Sequence, residues 1–438
     1  METFQERLAD IKQLIDDDIY RKRVLLLCQQ NEPKSFDEYS KSGSFRRLEK
    51  FESSTYSEVL KAIDLADNNK PVVMKIMRAL TKDVIKRMPS ITTKGCQSYN
   101  DILNELVVTQ ALSQLHDGVI LNGQPNSLYR THFFCLIHEI KVVSGNLDLM
   151  LHADDANNKN RRKSAPPDAA SPVDATLGQL PEEERMLMEA LPREYVVSVM
   201  RHDGQPLWWW MTHKELTPSQ LISVLIQTIV GLAIAENIYL YEHRDLHVSN
   251  ILIKRTTNES IPFILDGQRY NITSYGIKAT IIDATFSRLT HNGKVYFRDL
   301  TSTLRAYSSK KTPTRMSLQN RSYRQMVRVT RNKWDDFTPK TNLIWLTYLC
   351  ETLMKNDILK GDQTLWAEVK KVRDYTLKVK TTLDLLSCFP FERMSKTTTT
   401  EGTNTTPAAP VPAPAPAPVP APAPASNHQP NQESQSGS

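Results

Sequence analysis

The sequence predicts an α+β fold with two lobes, a smaller one built on β-strands and a larger one that is mainly helical. Short apolar runs with strand-like composition, such as residues 72–76 and 195–200, lie in the first half of the chain. Long apolar segments with helical spacing, such as Leu221 to Leu232 and Asn342 to Leu353, lie in the second half. A chain of 438 residues can hold two compact lobes and still leave residues for tails.

The pattern along the chain divides it into four segments. Residues 1–47 are predicted to be an N-terminal helical extension, because apolar residues recur there at helical spacing. Residues 48–200 form the smaller lobe, interrupted at about 152–184 by a polar, proline-containing insert that we expect to be disordered. Residues 201–392 form the larger lobe. A threonine run and an alternating Pro-Ala tract predict a disordered, extended tail over 393–438.

Composition favours an intracellular protein without a membrane segment. The five cysteines show neither paired spacing nor a metal-ligand pattern, so we expect reduced core thiols. The longest apolar region, Leu221 to Ala235, is interrupted and too short for a membrane span, and the N-terminal residues have a polar helix pattern. The net charge of +6 argues only weakly for acidic partners over this length.

The strongest charge feature lies in residues 301–340, which contain ten basic and two acidic side chains. Such a run is most often a solvated face, and the sharper alternatives are a site for an acidic peptide, a phosphate or a nucleic acid. Aromatic residues are not interleaved with the basic ones at regular spacing. We therefore do not expect direct binding of nucleic acid.

The stretch Glu242 to Ile253, EHRDLHVSNILI, is typical of a protein-kinase catalytic loop. Phosphoryl transfer needs a carboxylate that orients the acceptor hydroxyl and an amide oxygen that holds magnesium, both directed at one phosphate. Asp245 and Asn250 supply these groups at the required spacing, with a predicted buried strand behind them. A His-Arg-Asp tripeptide alone is common in solvated loops, whereas the full pattern is much rarer.

Three other residues complete the order expected of a kinase. Lys75 lies in an apolar strand, where a nucleotide phosphate and a helix carboxylate would satisfy its charge. Glu105, in a helix predicted from Ser98 to Leu115, is the candidate carboxylate. Asp283 ends another apolar strand and is the candidate second magnesium ligand. Each has an ordinary alternative, namely a lysine that reaches solvent, a solvated helix glutamate and a turn aspartate.

The sequence resembles the haspin family of atypical protein kinases over roughly residues 20–392. Four features carry this likeness: a histidine in place of the usual catalytic-loop lysine (His247), a threonine in place of the usual final glycine of the metal-binding segment (Thr285), a long interval between Asn250 and Asp283, and the segment Asn332 to Leu349. The resemblance implies a bilobal protein-kinase fold that uses ATP and Mg²⁺ to phosphorylate serine or threonine.

The resemblance also implies roles for individual residues. Lys75 would anchor phosphate with Glu105 as its partner, and Asp245 would be the catalytic base. Asn250 and Asp283 would hold magnesium, and His247 would lie near the transferring phosphate. The nucleotide would further contact Val59, Val73, Ser54 and Ser57.

Members of this family phosphorylate a threonine near the end of a histone tail in mitotic chromatin. They are active without phosphorylation of the activation loop. By resemblance we expect a protein substrate such as a histone tail, association with chromatin, a location in the nucleus, on chromosomes and in the cytoplasm, and a monomer.

Departures from the family pattern leave a second hypothesis open. Glu52, Ser54 and Ser57 take the places of three glycines in the phosphate-covering loop, where a carboxylate would repel phosphate. Ala284 replaces the family tyrosine beside Asp283. The chain is therefore either an active kinase or a catalytically weak or inactive pseudokinase that serves as a scaffold with the same fold.

Charge around Tyr323 is a further departure. Haspin is acidic in this region, which suits a basic histone tail, whereas this chain carries Arg321, Arg324 and Arg328. Like charges would disfavour a basic tail and favour a more acidic peptide.

Overall fold

The computed structural model describes residues 3–41, 45–53, 57–88, 96–121, 124–126, 128–145, 181–308, 316–388 and 394–396. The chain divides into two units, Met1–Thr397 and Thr398–Ser438. Every element given below belongs to the first unit. Most of the tail predicted over 393–438 lies outside the described residues, as do Ser54 and most of the predicted insert.

A β-sheet dominates the N-terminal lobe. Its elements and the helices around it are, in chain order, α1 (Phe4–Asp17), α2 (Ile19–Leu27), β1 (Lys34–Ser35), α3 (Phe36–Lys41), β2 (Phe45–Ser53), β3 (Glu58–Asp64), β4 (Lys70–Leu80), α4 (Lys82–Arg87), β5 (Cys96–Ser98), α5 (Tyr99–Gln114), β6 (Val119–Leu121), β7 (Gln124–Asn126), β8 (Ile137–Ser144), α6 (Glu182–Ala190) and β9 (Glu194–Arg201). The strand order is β1-β8-β9-β4-β3-β2, and β5 pairs with β4.

Strand β4 shows how the sequence places functional side chains in this sheet. Val72, Met74 and Ile76 are buried in the lobe, whereas the alternate residues Val73 and Lys75 are only partly buried. Successive side chains of a strand point to opposite faces, so Val73 and Lys75 share the open face.

The N-terminal extension is part of this lobe and does not form a separate segment. Strand β1 joins the sheet through β8, and α1 packs in one apolar cluster with residues of β4, α4 and α6. The predicted boundary between residues 47 and 48 falls inside β2, which begins at Phe45. The boundary was wrong because the polar, turn-rich sequence before residue 48 conceals the start of a strand that pairs with β3.

The predicted end of the disordered insert, at about residue 184, is also wrong. Helix α6 begins at Glu182, so residues 182–184 are helical. Three glutamates in its first turn complement the helix dipole, and Leu187 and Met188 are buried against the cluster that contains α1. Apolar residues downstream of Glu184 thus extend the helix back into a segment whose own composition favours disorder.

The C-terminal lobe is mainly helical. Its elements are β10 (Gln205–Pro206), α7 (Leu207–Thr212), α8 (Pro218–Tyr239), β11 (Ile251–Arg255), β12 (Ser260–Leu265), β13 (Gln268–Thr273), β14 (Ile277–Ile281), β15 (Arg288–His291), β16 (Lys294–Phe297), a 3₁₀ turn (Arg305–Ser308), α9 (Leu318–Thr330), α10 (Lys340–Lys355), α11 (Asp357–Lys360), α12 (Gln363–Thr376), α13 (Thr382–Cys388) and β17 (Met394–Lys396). The predicted α+β fold with two lobes is confirmed. Strand β17 pairs with β13, so the tail predicted from residue 393 begins too early.

Helix α8 is the centre of this lobe. Thr217 and Gln220 form a capping box, and Pro218 occupies the first helical turn. By length and composition alone this helix of 22 residues could cross a membrane, which corrects the expectation that the apolar run is too short. However, 89% of its most apolar window is buried inside the lobe, so its composition reflects a core position.

Four cysteines, Cys28, Cys96, Cys135 and Cys350, are free and buried, as expected of core thiols. Burial raises the pKa of the Cys28 and Cys135 thiols to about 12, which keeps both protonated and unreactive near neutral pH.

Candidate active site

The ammonium group of Lys75 and the carboxylate of Glu105 lie 2.6 Å apart. Lys75 projects from β4, and Glu105 lies in α5, whose start is capped by the side chain of Ser98. Asp283 Oδ1 lies 3.4 Å from the same ammonium group. Burial opposes the charge on Lys75, but the two carboxylates outweigh it and hold the pKa of Lys75 above its usual range.

The Thr285 hydroxyl joins these charged groups. Its Oγ1 lies 2.5 Å from Asp283 Oδ1, 3.0 Å from Glu105 Oε2 and 3.4 Å from Lys75 Nζ. The Thr285 backbone N–H donates to Asp283 Oδ1 at 3.1 Å. Burial disfavours the charged form of Asp283, but the nearby Lys75 and the bonds from Thr285 hold the pKa of this carboxyl well below its usual range. Asp283 is therefore ionised at neutral pH.

The catalytic loop places Asp245 and Asn250 together. The Asn250 side-chain amide donates to the Asp245 carbonyl at 2.8 Å, and the His247 backbone N–H donates to that carbonyl at 2.9 Å. The Ile282 backbone N–H donates to the Asn250 carbonyl at 3.0 Å, which brings Asn250 beside Asp283. The five-residue spacing of Asp245 and Asn250 thus closes a compact turn.

Open oxygen atoms in this group suit a magnesium ion. Asn250 donates through Nδ2, and its Oδ1 accepts no hydrogen bond from the described residues. The hydrogen bonds and the ion pair of the Asp283 carboxylate go to Oδ1, so Oδ2 is also open in the described part of the chain. No group of three or more His, Cys, Asp or Glu side chains that could hold a metal occurs within the described ranges. Magnesium commonly takes one or two protein oxygens and completes its octahedron with phosphate and water, so this donor set fits it.

The side of the site predicted to hold the nucleotide base is formed by strands. Val59 is directly opposite Lys75 in the β3–β4 ladder, so Val59, Val73 and Lys75 lie on one face of the sheet. Ser57, the residue before β3, is only 3% exposed. The assignments of Val59, Val73, Ser54 and Ser57 to nucleotide binding stay predictions.

A tight connection between β9 and β10 joins the lobes beside these strands. Gly204 has φ +99°, and a Cβ atom at this position would lie 2.0 Å from the Ile253 carbonyl oxygen in β11. Only glycine fits this approach. The carboxylate of Asp203 accepts two bonds from Arg201, at 2.8 and 3.0 Å, which stiffens the same connection.

The hydroxyl of Tyr323 contacts the predicted catalytic base directly. It donates to Asp245 Oδ1 at 2.5 Å from helix α9. Of the three arginines near Tyr323, one is buried, one is paired with a carboxylate, and Arg328 is exposed. Arg324 is only 6% exposed, and Arg321, two residues before Tyr323 and so on another face of α9, pairs with Glu351 at 3.2 Å.

Comparison with known proteins places this chain in a family. The sequence model described as "Haspin like kinase domain" matches residues 13–387. The chain belongs to the haspin-like kinase family. A serine/threonine-protein kinase haspin homolog of Drosophila melanogaster is 26% identical over 377 residues, which are 84% of this chain and 58% of that protein. The serine/threonine-protein kinase haspin of Mus musculus is 25% identical over 337 residues, which are 76% of this chain and 39% of that protein.

A haspin homolog of Arabidopsis thaliana is 37% identical over a shorter stretch of 160 residues, 36% of this chain and 26% of that protein. The chain therefore spans between about a quarter and three fifths of the length of these three relatives.

Buried polar groups fix the conformation of the haspin-like catalytic loop. The Arg244 guanidinium, which is fully buried, donates to both carboxylate oxygens of Glu242 at 3.1 Å and to the Trp334 carbonyl at 2.7 Å. Glu242 also accepts from the Thr338 backbone N–H and the Thr341 hydroxyl, both at 2.7 Å. Every charge in this group is paired, which a buried ion pair requires.

His243 and Asn342 fix the other side of the haspin-like loop. His243 Nδ1 accepts from the Asp245 N–H at 3.3 Å, so Nε2 carries the proton and donates to the Ile282 carbonyl at 3.0 Å. Burial lowers the pKa of His243 to about 4, which keeps the ring neutral. The Asn342 side chain accepts from the His243 N–H and donates to the Tyr241 carbonyl.

Sequence reasoning missed several residues of this haspin-like site. Thr285 was noted only as a family marker, and Tyr323 only for the charge around it. Glu242 and Asn342 were quoted within motifs without a role. Polar residues inside strongly apolar stretches are the available signal, because a buried polar group needs a partner; Asn342, at the start of the apolar helix α10, shows it most clearly.

Proposed function

We propose that this chain is a magnesium-dependent protein kinase that transfers the γ-phosphate of ATP to a serine or threonine hydroxyl. The observation that carries the proposal is the single hydrogen-bonded group formed by Lys75, Glu105, Asp283 and Thr285 beside the catalytic loop. A scaffold has no chemical need for a paired lysine facing a strongly ionised, open aspartate.

Each residue has a defined task in this proposal. Lys75, oriented by Glu105, would neutralise charge on the nucleotide phosphates, and Asn250 and Asp283 would hold Mg²⁺. The metal would offset the charge that develops on the transferring group. Asp245 would orient the acceptor hydroxyl and take its proton. The chain itself thus contributes positioning and electrostatic stabilisation.

His247 would act as a neutral hydrogen-bond donor near the transferring phosphate. Its Nδ1 accepts from the Ser249 backbone N–H at 3.2 Å, so in the neutral ring Nε2 carries the proton. Nε2 lies 3.4 Å from the Asn250 side-chain nitrogen and 3.7 Å from Asp245 Oδ1. Burial lowers the pKa of His247, so the ring is uncharged near neutral pH. The usual kinase lysine at this position would be a cation instead.

For the substrate, we propose a protein hydroxyl in a histone tail, with a more acidic peptide as the alternative. The family membership supports the histone tail, together with a mitotic role, chromatin association and a location in the nucleus, on chromosomes and in the cytoplasm. The burial of Arg324 and the pairing of Arg321 with Glu351 remove part of the charge conflict with a basic tail. We further propose a monomer that does not bind nucleic acid directly.

A pseudokinase scaffold is the second candidate function. It is favoured by the loop whose glycine places are taken by Glu52, Ser54 and Ser57. A thermal-shift titration with Mg²⁺-ATP separates the candidates, because a ligand at 100 times its Kd stabilises the native state by about 2.7 kcal/mol. Absence of any shift at millimolar nucleotide would favour the scaffold.

The direct test is phosphate transfer from labelled Mg²⁺-ATP to two peptides of equal length with one threonine each, a basic histone-tail peptide and an acidic peptide. We expect labelled phosphothreonine in the histone peptide and little in the acidic one. The reverse preference would overturn the histone assignment while leaving kinase activity intact. No transfer to either peptide or to a general protein acceptor would overturn the proposed function.

A further inference from the structure

We propose that Tyr323 is a positioning residue that anchors one oxygen of the Asp245 carboxylate, so that the other oxygen receives the acceptor hydroxyl. This inference rests on the proposed kinase function. It assigns the two oxygens of Asp245 to different tasks, Oδ1 to the protein and Oδ2 to the substrate.

The direction of the Tyr323 hydrogen bond follows from its neighbours. The side-chain amide of Gln319 donates to the Tyr323 hydroxyl oxygen at 3.2 Å. The hydroxyl proton is then left for Asp245 Oδ1, 2.5 Å away. Burial raises the pKa of Asp245, and the bond from Tyr323 opposes that shift because it favours the ionised carboxylate.

The Tyr323 ring is held by aromatic packing. Its centroid lies 5.2 Å from that of Trp345, edge to face, and 5.4 Å from that of Tyr307. Trp345 is fully buried in α10. A phenol fixed by two rings keeps its hydroxyl at one place, which a flexible side chain would not do.

The second oxygen of Asp245 is free to meet a substrate. Among the described residues none donates a hydrogen bond to Oδ2, and this atom is not a buried unsatisfied acceptor. The Asp245 side chain is 16% exposed. The imidazole of His247, 3.7 Å away, is also on the Oδ1 side. Oδ2 is therefore the oxygen of the carboxylate that is open to a substrate.

With Asp245 Oδ2 as the base, each bond that forms in phosphate transfer has a matching bond that breaks. The acceptor hydroxyl oxygen forms a bond to the γ-phosphorus of ATP as the bond from that phosphorus to the ADP oxygen breaks. The acceptor proton passes to Asp245 Oδ2 and then to water, while Tyr323 keeps its own proton. Tyr323 touches neither nucleotide nor acceptor in this step.

An alternative arrangement, in which Tyr323 blocks the acceptor and does not position Asp245, predicts the opposite kinetic effect. If the Tyr323 hydroxyl occupies the place of the acceptor hydroxyl, it must be displaced before transfer, and its removal would lower the KM of the peptide or raise kcat. If Tyr323 anchors Oδ1, its removal lowers kcat and leaves the KM for Mg²⁺-ATP unchanged.

Full-length Tyr323→Phe is the test, with Tyr307→Phe as the matched control. Tyr307 belongs to the same aromatic group, but its hydroxyl donates to Asn320 at 3.1 Å and does not touch Asp245. We expect kcat for a threonine peptide to fall about 10- to 100-fold in Tyr323→Phe, as for loss of a hydrogen bond to a charged group. The KM for Mg²⁺-ATP should stay within about twofold of wild type, and Tyr307→Phe should resemble wild type.

If Tyr323→Phe does not fold, Gln319→Leu serves as the second variant. It removes the donor that orients the phenol, so kcat should fall several-fold at unchanged KM for Mg²⁺-ATP. An unchanged kcat in the folded variant, or a raised kcat or lowered peptide KM, would overturn the Tyr323 assignment alone. A wild-type protein that transfers no phosphate would overturn both this assignment and the proposed function.

Discussion

Lys75 and Glu105 meet at 2.6 Å across two elements of the N-terminal lobe, strand β4 and helix α5. Asp283, which follows strand β14 of the C-terminal lobe, approaches the same ammonium group. The pair of Lys75 and Glu105 thus depends on the position of α5, and the contact of Lys75 with Asp283 depends on the closeness of the two lobes. Anything that moves α5 or separates the lobes should reduce phosphate transfer.

Loss of the Thr285 hydroxyl should weaken nucleotide binding more than a change in the size of the side chain. Thr285→Val keeps the shape of the side chain but removes the group that joins Glu105 and Asp283. We expect the KM for Mg²⁺-ATP to rise about tenfold, as for the loss of one hydrogen bond to charged partners. Thr285→Ser, which keeps the hydroxyl, should restore the wild-type value in the same steady-state assay. Equal values for the valine and serine variants would contradict this role.

Arg21 should stabilise the lobe through a buried ion pair. It makes a two-point contact, at 2.9 and 2.7 Å, with Glu194, which also accepts from the Tyr99 hydroxyl at the start of α5. Arg21→Met leaves the Glu194 carboxylate buried without its cation and should lower the free energy of unfolding by about 3 kcal/mol. Lys22→Met, at an exposed neighbouring position, is the control for denaturant unfolding. A destabilisation no greater than that of the control would contradict a stabilising role for the ion pair of Arg21 and Glu194.

The site should not need phosphorylation of the chain to become active. The Arg244 guanidinium is fully buried and already occupied by Glu242 and by the Trp334 carbonyl, so it has no surface to offer a phosphate. We expect the rate of peptide phosphorylation to stay within about twofold after complete phosphatase treatment, since no charged contact of this loop is lost. A tenfold loss that returns on rephosphorylation would show that the loop depends on an added phosphate.

Stability should fall on acidification because of a buried histidine. His116, only 5% exposed, donates through Nε2 to the Phe134 carbonyl and lies 3.3 Å from His132 Nδ1. Burial, Lys278 and Arg201 lower the pKa of His116 to about 4, against about 6.5 in the unfolded chain, although the Phe134 carbonyl and Asp203 act in the opposite sense.

Between these two pKa values the unfolded chain binds the extra proton, so the stability present above pH 6.5 is lost as the pH falls towards 4. The contribution of His116 to the loss between pH 7 and pH 5 is about 2 kcal/mol. Denaturant unfolding of His116→Gln should show a shallower pH dependence, whereas exposed His138→Gln should match wild type. If the free energy of unfolding changes with pH to the same extent in all three proteins, His116 is not the cause of the acid sensitivity.

The residues of the candidate site were predictable because each lies in a local pattern. Asp245 and Asn250 belong to one loop, and Lys75 and Asp283 interrupt or end apolar strands where a charge needs a partner. Glu105 was inferred from the order of the others, and the structure brings it to Lys75. Local chemistry and chain order were sufficient for these contacts.

Contacts between distant residues were not predictable in the same way. Tyr323 and Asp245 are 78 positions apart, and Arg21 and Glu194 are 173 positions apart. Nothing in the local pattern around Tyr323 shows which face of α9 meets the catalytic loop, so the sequence does not show which of the flanking arginines lie beside Tyr323. The boundaries at residues 47, 184 and 393 were missed because short strands and helix ends depend on partners elsewhere in the fold.

The assignment of Asp245 as the base is tested most directly by phosphate transfer in wild-type protein and in Asp245→Asn, measured with labelled Mg²⁺-ATP and a threonine peptide. Asp335→Asn, at an exposed position, is the matched control. Loss of the base should lower kcat about 10²- to 10⁴-fold in Asp245→Asn, while the control keeps the wild-type rate. Equal rates in wild type and Asp245→Asn would contradict the assignment of the catalytic base and with it the proposed mechanism.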